Sequence, residues 1–203
     1  SSKKIFISYL VATFIYTIVI FRVFNFEYFW SFLIHFNAAT AFYYVALYIQ
    51  LMFLSKPLYN MIEKNFFVKN NVINELIIFI FVVLLSYLSV NYTNIMNIYG
   101  GGGTLFGGTY LILFYLGMLM MKHDIFTKIS LKKSIIFSVI FGLCFILWWR
   151  FICFKGLFLD KFIPFGNGFN PPSITFMIYA LFMLFFCYGL FTLCDNFKVT
   201  KKI

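Results

Sequence analysis

Residues 76–121 read LIIFIFVVLLSYLSVNYTNIMNIYGGGGTLFGGTYLILFYLGMLMM and carry no formally charged side chain. About a quarter of the residues in a soluble domain are charged, so an uncharged run of this length calls for lipid as its solvent. It is too long for one helix, because crossing a bilayer core of about 30 Å takes about 20 residues. The Gly100, Gly101, Gly102, Gly103 run, preceded by Asn91, Asn94 and Asn97, marks the break. Glycine at that density disfavours helix, so the segment reads as a loop between two crossings.

The same pattern extends outward in both directions. Charge-free stretches separated by basic clusters predict six spans, at about 5–21, 38–54, 73–90, 105–121, 134–152 and 172–194. Over all 203 residues, 63% are hydrophobic, 11% are charged and the mean hydropathy is +0.95, which excludes a water-soluble enzyme of this size. The expected fold is an all-α, polytopic membrane bundle forming a single transmembrane domain.

The net charge of +10 would suggest nucleic acid in a soluble chain. Its distribution says otherwise. Lys3 and Lys4, then Lys56, Lys64 and Lys69, then Lys122, Lys128, Lys132 and Lys133, then Lys198, Lys201 and Lys202 put twelve bases on one side of the six spans. Arg22, Arg150, Lys155 and Lys161 are the four on the other. The positive-inside rule therefore places both termini in the cytoplasm. The first span has no small-residue cleavage site and is followed by further spans, unlike a signal peptide. Tyr28, Trp30, Trp148 and Trp149 fall near span ends as an interfacial aromatic belt would. The aromatic stretch 24–36 reads as an interfacial helix or a re-entrant segment.

Several function classes are disfavoured by the same residues. No span has an acid or base at its middle, which argues against ion pumps, proton-coupled transporters and voltage sensors. The glycine run at 100–108 has no following Lys-Ser/Thr, so it is not a phosphate loop. Cys144, Cys153, Cys187 and Cys194 form no Cys-x-x-Cys and read as packing residues. With His35 and His123 assigned to opposite sides, a metal centre lacks ligands. The remaining polar residues gather on the outer side: Arg22, His35, Asn37, the glycine loop, Arg150 and the 155–173 connection. Arginine's planar fork suits a carboxylate or phosphate, although arginines at helix ends also anchor to headgroups. Asn91-Tyr92-Thr93 is a glycosylation sequon on that side.

Three segments go beyond composition. Residues 42–64, FYYVALYIQLMFLSKPLYNMIEK, form a Tyr-rich helix with a central Gln50 and with Pro57 just past its cytoplasmic end. Residues 108–122 close on Phe114, Tyr115, Leu116, Gly117 before Lys122, and residues 170–181, NPPSITFMIYAL, open on Pro171-Pro172-Ser173 with Asn170 placed as a cap. In this order the segments resemble the later part of the acyltransferase-3 family of integral membrane acyltransferases. The resemblance implies transfer of an acyl group, commonly acetyl, from acyl-CoA to a hydroxyl of a cell-surface carbohydrate or related envelope acceptor. It aligns these six spans with the last six of about ten. The family's catalytic histidine follows an arginine in its first span, and no such pair occurs here: Leu33 stands eleven positions after Arg22.

These residues are therefore expected to bind substrate without supplying the base, and to be inactive without the upstream catalytic spans. The expected contacts are Arg150, Trp149, Asn170, Ser173, Gln50 and Arg22. No catalytic or metal-ligating residue is assigned. The expected partners are the bilayer, an envelope carbohydrate and the missing amino-terminal half. Heavy use of Phe, Ile, Asn and Lys suggests a low-GC bacterium and its inner membrane. The competing reading is a small six-span transporter or flippase-like protein without chemistry.

Overall fold

The computed structural model describes residues 2–22, 25–35, 43–96, 107–127, 129–163, 165 and 172–200. The described residues are all helix and connections: α1 Ser2–Phe21, α2 Phe26–His35, α3 Tyr43–Glu63, α4 Asn71–Met96, α5 Tyr110–Lys122, α6 Leu131–Lys155, α7 Phe158–Phe162 and α8 Ile174–Thr200. Three stretches of them are long and apolar enough to cross a membrane, Asn71–Asn91, Leu131–Lys155 and Ile174–Asn196, and two shorter apolar ones are Lys4–Val19 and Tyr110–Lys122. This is the all-helical, membrane-compatible architecture the sequence predicts. The chain divides into two compact units, Ser1–Tyr115 and Leu116–Ile203.

Some boundaries differ from expectation for local reasons. The span expected at 38–54 is helical from Tyr43 to Glu63, so Pro57 lies inside α3 and not past its end. Proline lacks an N–H, which leaves the Phe53 carbonyl without its usual helical donor. α3 stops instead at Asn65, whose φ of 46° is the left-handed turn of a Schellman cap, with Phe66 N–H donating to the Met61 carbonyl at 3.4 Å. α5 ends the same way, with Asp124 at φ 48° and Ile125 N–H donating to Met120 at 3.0 Å. α5 begins at Tyr110 and not near 105, because Gly107 and Gly108 have φ of 91° and 52°, outside helix space. α4 continues through Asn91 and Asn94 to Met96, so the sequon lies within a helix; the Asn91 amide donates to the Tyr87 carbonyl at 3.0 Å. The four-glycine loop lies outside the described residues.

Within the first unit, α1 buries a stripe spaced by four, Tyr9, Thr13 and Thr17, while Phe6, Ile7, Val11, Ile15 and Val19 are exposed. Small or polar residues inward and large apolar ones outward suit a helix surrounded by lipid. α2 turns back along α1 after Arg22, with Asn25 capping it through a side-chain oxygen 2.9 Å from Glu27 N–H. Phe29 meets Phe14 edge-on at 6.0 Å, and the Tyr9 hydroxyl lies 3.0 Å from the carbonyls of both Phe32 and Leu33. Residues 26–35 of the aromatic stretch thus form a helix that lies alongside α1. Val45, near the start of α3, then lies by Lys4, Ser8 and Ala12 in the first half of α1.

α3 and α4 are joined by a turn that one buried side chain holds. Asn74, wholly buried, accepts from Phe67 N–H at 3.0 Å and donates to the Met61 carbonyl at 3.1 Å. An asparagine can do both because it carries a donor and an acceptor on one amide.

The second unit is built on α6 against α8. Ser134, Ser138 and Gly142, spaced by four, form the buried face of α6, and the partner face of α8 includes Phe186 and Gly189. Small residues let two backbones approach where lipid gives no hydrophobic drive between helices. Gly189 is such a point: a Cβ there would lie 2.5 Å from Ser138 Oγ and 3.0 Å from its backbone nitrogen. Around it Phe137, Phe141 and Phe145 interlock with Phe182, Phe185 and Phe186. The Tyr188 hydroxyl donates to the Thr127 carbonyl and the Asn196 amide to that of Ile129, at 3.3 Å for the latter, so the connection before α6 is tied to α8.

Candidate functional site

The polar chemistry of the second unit concentrates where α8 begins. Pro172 and Ser173 precede the helix and are buried, and the first helical bond runs from Met177 N–H to the Ser173 carbonyl at 2.9 Å. Ser173 occupies the capping position, yet its Oγ has no hydrogen-bond partner. The first turn is capped from a distance. Asp160, on the short helix α7, accepts through Oδ1 from the Thr175 hydroxyl at 2.8 Å and from Thr175 N–H at 3.4 Å. A carboxylate is favoured there because the first N–H groups of a helix are unpaired and carry its positive dipole end.

Thr175 is also held from α6, where Trp148 Nε1–H donates to its carbonyl at 3.0 Å. Trp148 stacks on Phe151 at 5.1 Å and meets Phe182 edge-on at 6.1 Å, which fixes the indole. The carboxylate is therefore oriented by Thr175, and Thr175 by Trp148. Asp160 Oδ2, the second oxygen, is buried and has no hydrogen-bond partner. A buried carboxylate oxygen without a donor is costly, so this atom is the natural acceptor for an incoming O–H or N–H group.

The predicted site residues divide between the two units. Ser173 stands at this cluster, wholly buried; Trp149 is part-exposed on α6 and packs on Tyr179 of α8 at 5.4 Å. Arg150 follows it on α6 and is exposed. Asn170 lies outside the described residues. Gln50 and Arg22 belong to the first unit. Gln50 is half-buried on α3 with its Oε1 buried and unpartnered, and Arg22 forms the left-handed turn after α1 at φ 54°, its N–H donating to the Ile18 carbonyl at 2.8 Å. His35 is engaged locally, with Nδ1 2.8 Å from the Ser31 carbonyl one turn back.

Asp160, Thr175 and Trp148 were not among the predicted site residues. The sequence does carry a signal for the first: Asp160 is the sole acid between Asp124 and Asp195 and stands beside Lys161. An isolated carboxylate next to the end of an apolar span is worth singling out for that reason. No protein-family model, curated protein or solved structure matches this chain.

Proposed function

We propose that the chain is the acceptor-binding part of a bacterial inner-membrane O-acyltransferase, with its termini cytoplasmic and its six spans corresponding to the last six of the acyltransferase-3 family. The reaction moves an acyl group from acyl-CoA to a hydroxyl of an envelope carbohydrate: the acceptor oxygen bonds to the acyl carbon, the carbon–sulfur bond breaks, and the hydroxyl proton ends on the thiol. The observation that carries this reading is the Asp160 carboxylate. Its Oδ1 is held by Thr175 and its Oδ2 is left to accept from a hydroxyl, which is the contact a sugar acceptor needs before its proton is removed. The charge distribution supports an extracytoplasmic position for α7, beside Arg150 and Trp149. The resemblance assigns the base itself to an Arg–His pair that these residues do not contain.

The test is the ester-linked acyl content of the envelope polysaccharide in the source cell. Deleting the gene should abolish one acyl modification, and Asp160→Asn in the intact gene should lower it by about ten-fold, the scale of losing one hydrogen bond to a charged group, about 1.5 kcal/mol. An unchanged acyl content after deletion would overturn the proposal. Loss on deletion but not with Asp160→Asn would remove Asp160 from the site.

A further inference from the structure

The first unit holds a second set of unpaired polar atoms, apart from the Asp160 cluster. Ser86 on α4 and Thr109 just before α5 are both wholly buried, and the hydroxyl oxygen of each has no hydrogen-bond partner. Gln50 Oε1 on α3 is buried and unpartnered too. Buried polar groups are nearly always paired, and water or a ligand usually accounts for those that are not paired by protein.

The hairpin register sets two of these residues at one depth. Asn74 bonds the Met61 carbonyl, which fixes α4 against α3. At 1.5 Å per residue, Gln50 lies about 17 Å along α3 from Met61, and Ser86 about 18 Å along α4 from Asn74. Thr109 comes to α3 through Gly107: a Cβ on Gly107 would lie 2.7 Å from Leu51 Cδ2, so the backbone before α5 passes one residue beyond Gln50. Three elements thus set three unpaired groups at a similar depth along the α3–α4 hairpin.

We infer that Gln50, Ser86 and Thr109 line a hydrated site in the first unit for a small, neutral, hydroxyl-bearing ligand. Charge is excluded by the surroundings, since α4 has no charged residue beyond Glu75 in its first turns and an ion would meet no counter-charge. The groups match a hydroxyl: an amide oxygen accepts its proton, and serine and threonine hydroxyls both donate and accept.

The test uses the full chain in liposomes, with Cys144, Cys153, Cys187 and Cys194 replaced by alanine. Ser86→Cys and Thr109→Cys are compared with Leu84→Cys, a 55% exposed position on the same helix as Ser86. Iodoacetamide, which is small and uncharged and reacts with the thiolate that only a hydrated cysteine forms, reports water access, and glycerol is the ligand probe. Ser86→Cys and Thr109→Cys should react about ten-fold faster than Leu84→Cys, whose thiol faces lipid without water, and glycerol should slow both. Gln50→Cys serves where either variant fails to fold. Rates equal to that of Leu84→Cys overturn the site. Fast reaction that glycerol leaves unchanged overturns the ligand class.

Discussion

Replacing Gly189 with alanine tests the α6–α8 interface most directly. The added Cβ would sit 2.5 Å from Ser138 Oγ, 3.0 Å from Ser138 N and 3.1 Å from its Cα. Carbon contacts prefer about 3.5–4.0 Å, so α6 and α8 must separate by about 0.5–1 Å, a gap that forfeits a quarter to a half of each affected contact. Those contacts include Phe137 with Tyr188 at 5.8 Å and Phe141 with Phe185 at 5.0 Å. Overpacking of this kind costs about 3 kcal/mol at its upper range. Alanine's better helix propensity returns about 1 kcal/mol. The net is about 2 kcal/mol, or about thirty-fold in the folding equilibrium.

Two other glycines provide the scale. At Gly142 the added Cβ would meet only the Phe186 ring edge, at 3.0 and 3.1 Å, and the ring can tip away. Its overpacking and propensity terms should nearly cancel. At Gly117 nothing lies within 4 Å, so alanine should stabilise by about 1 kcal/mol. Unfolding of the detergent-solubilised chain, followed by the fluorescence of Trp148 and Trp149, should rank Gly117→Ala above the parent, Gly142→Ala near it and Gly189→Ala well below. Adding Ser138→Ala to Gly189→Ala should recover only part of the loss, because the backbone atoms of residue 138 still clash. A Gly189→Ala protein as stable as the parent, or less perturbed than Gly142→Ala, would refute the close approach.

Asn74→Ala removes both bonds of the α3–α4 turn in a fully buried position and should cost about 2–4 kcal/mol, seen as a lower Tm and faster proteolysis within 64–70. Trp148→Phe keeps the aromatic contacts but loses the bond to the Thr175 carbonyl, for a cost of about 0.5–1.5 kcal/mol by thermal unfolding. Asp160→Ala deprives the first turn of α8 of its acceptor and should cost about 1–2 kcal/mol, whereas Asp160→Asn keeps an oxygen there and should cost less. A reporter fused to the carboxyl terminus should read cytoplasmic; an external signal would contradict the orientation drawn from the lysines.

Much of the helical fold was legible because lipid imposes a simple rule on sequence. α4, α6 and α8 follow directly from their lack of charge, and α2 lies within the aromatic stretch after Arg22. Helix ends were less legible. Hydropathy falls at Lys56, yet α3 continues to Glu63 because its end is set by the left-handed turn at Asn65, which hydropathy does not register. Of the residues expected to bind substrate, Ser173 stands at the start of α8 and Trp149 packs on Tyr179, whereas Asp160 joins that cluster only by reaching Thr175, fifteen residues away. Spacing along the chain carries no trace of that tertiary contact.

The return of α2 along α1 bears on how the chain acquires its orientation during membrane insertion. At ten residues α2 covers about 15 Å, half a bilayer core, so the α1–α2 pair does not impose the strict alternation that complete crossings would. In the proposed orientation the sidedness of α3 to α8 follows from their own charges, chiefly the ten lysines from Lys56 to Lys202 that the positive-inside rule gives to the cytoplasm. Only Lys3, Lys4 and Arg22 bias α1. Exchanging Lys3 and Lys4 for glutamate should therefore invert the first helix alone, carrying the amino terminus across while the carboxyl terminus stays where it was.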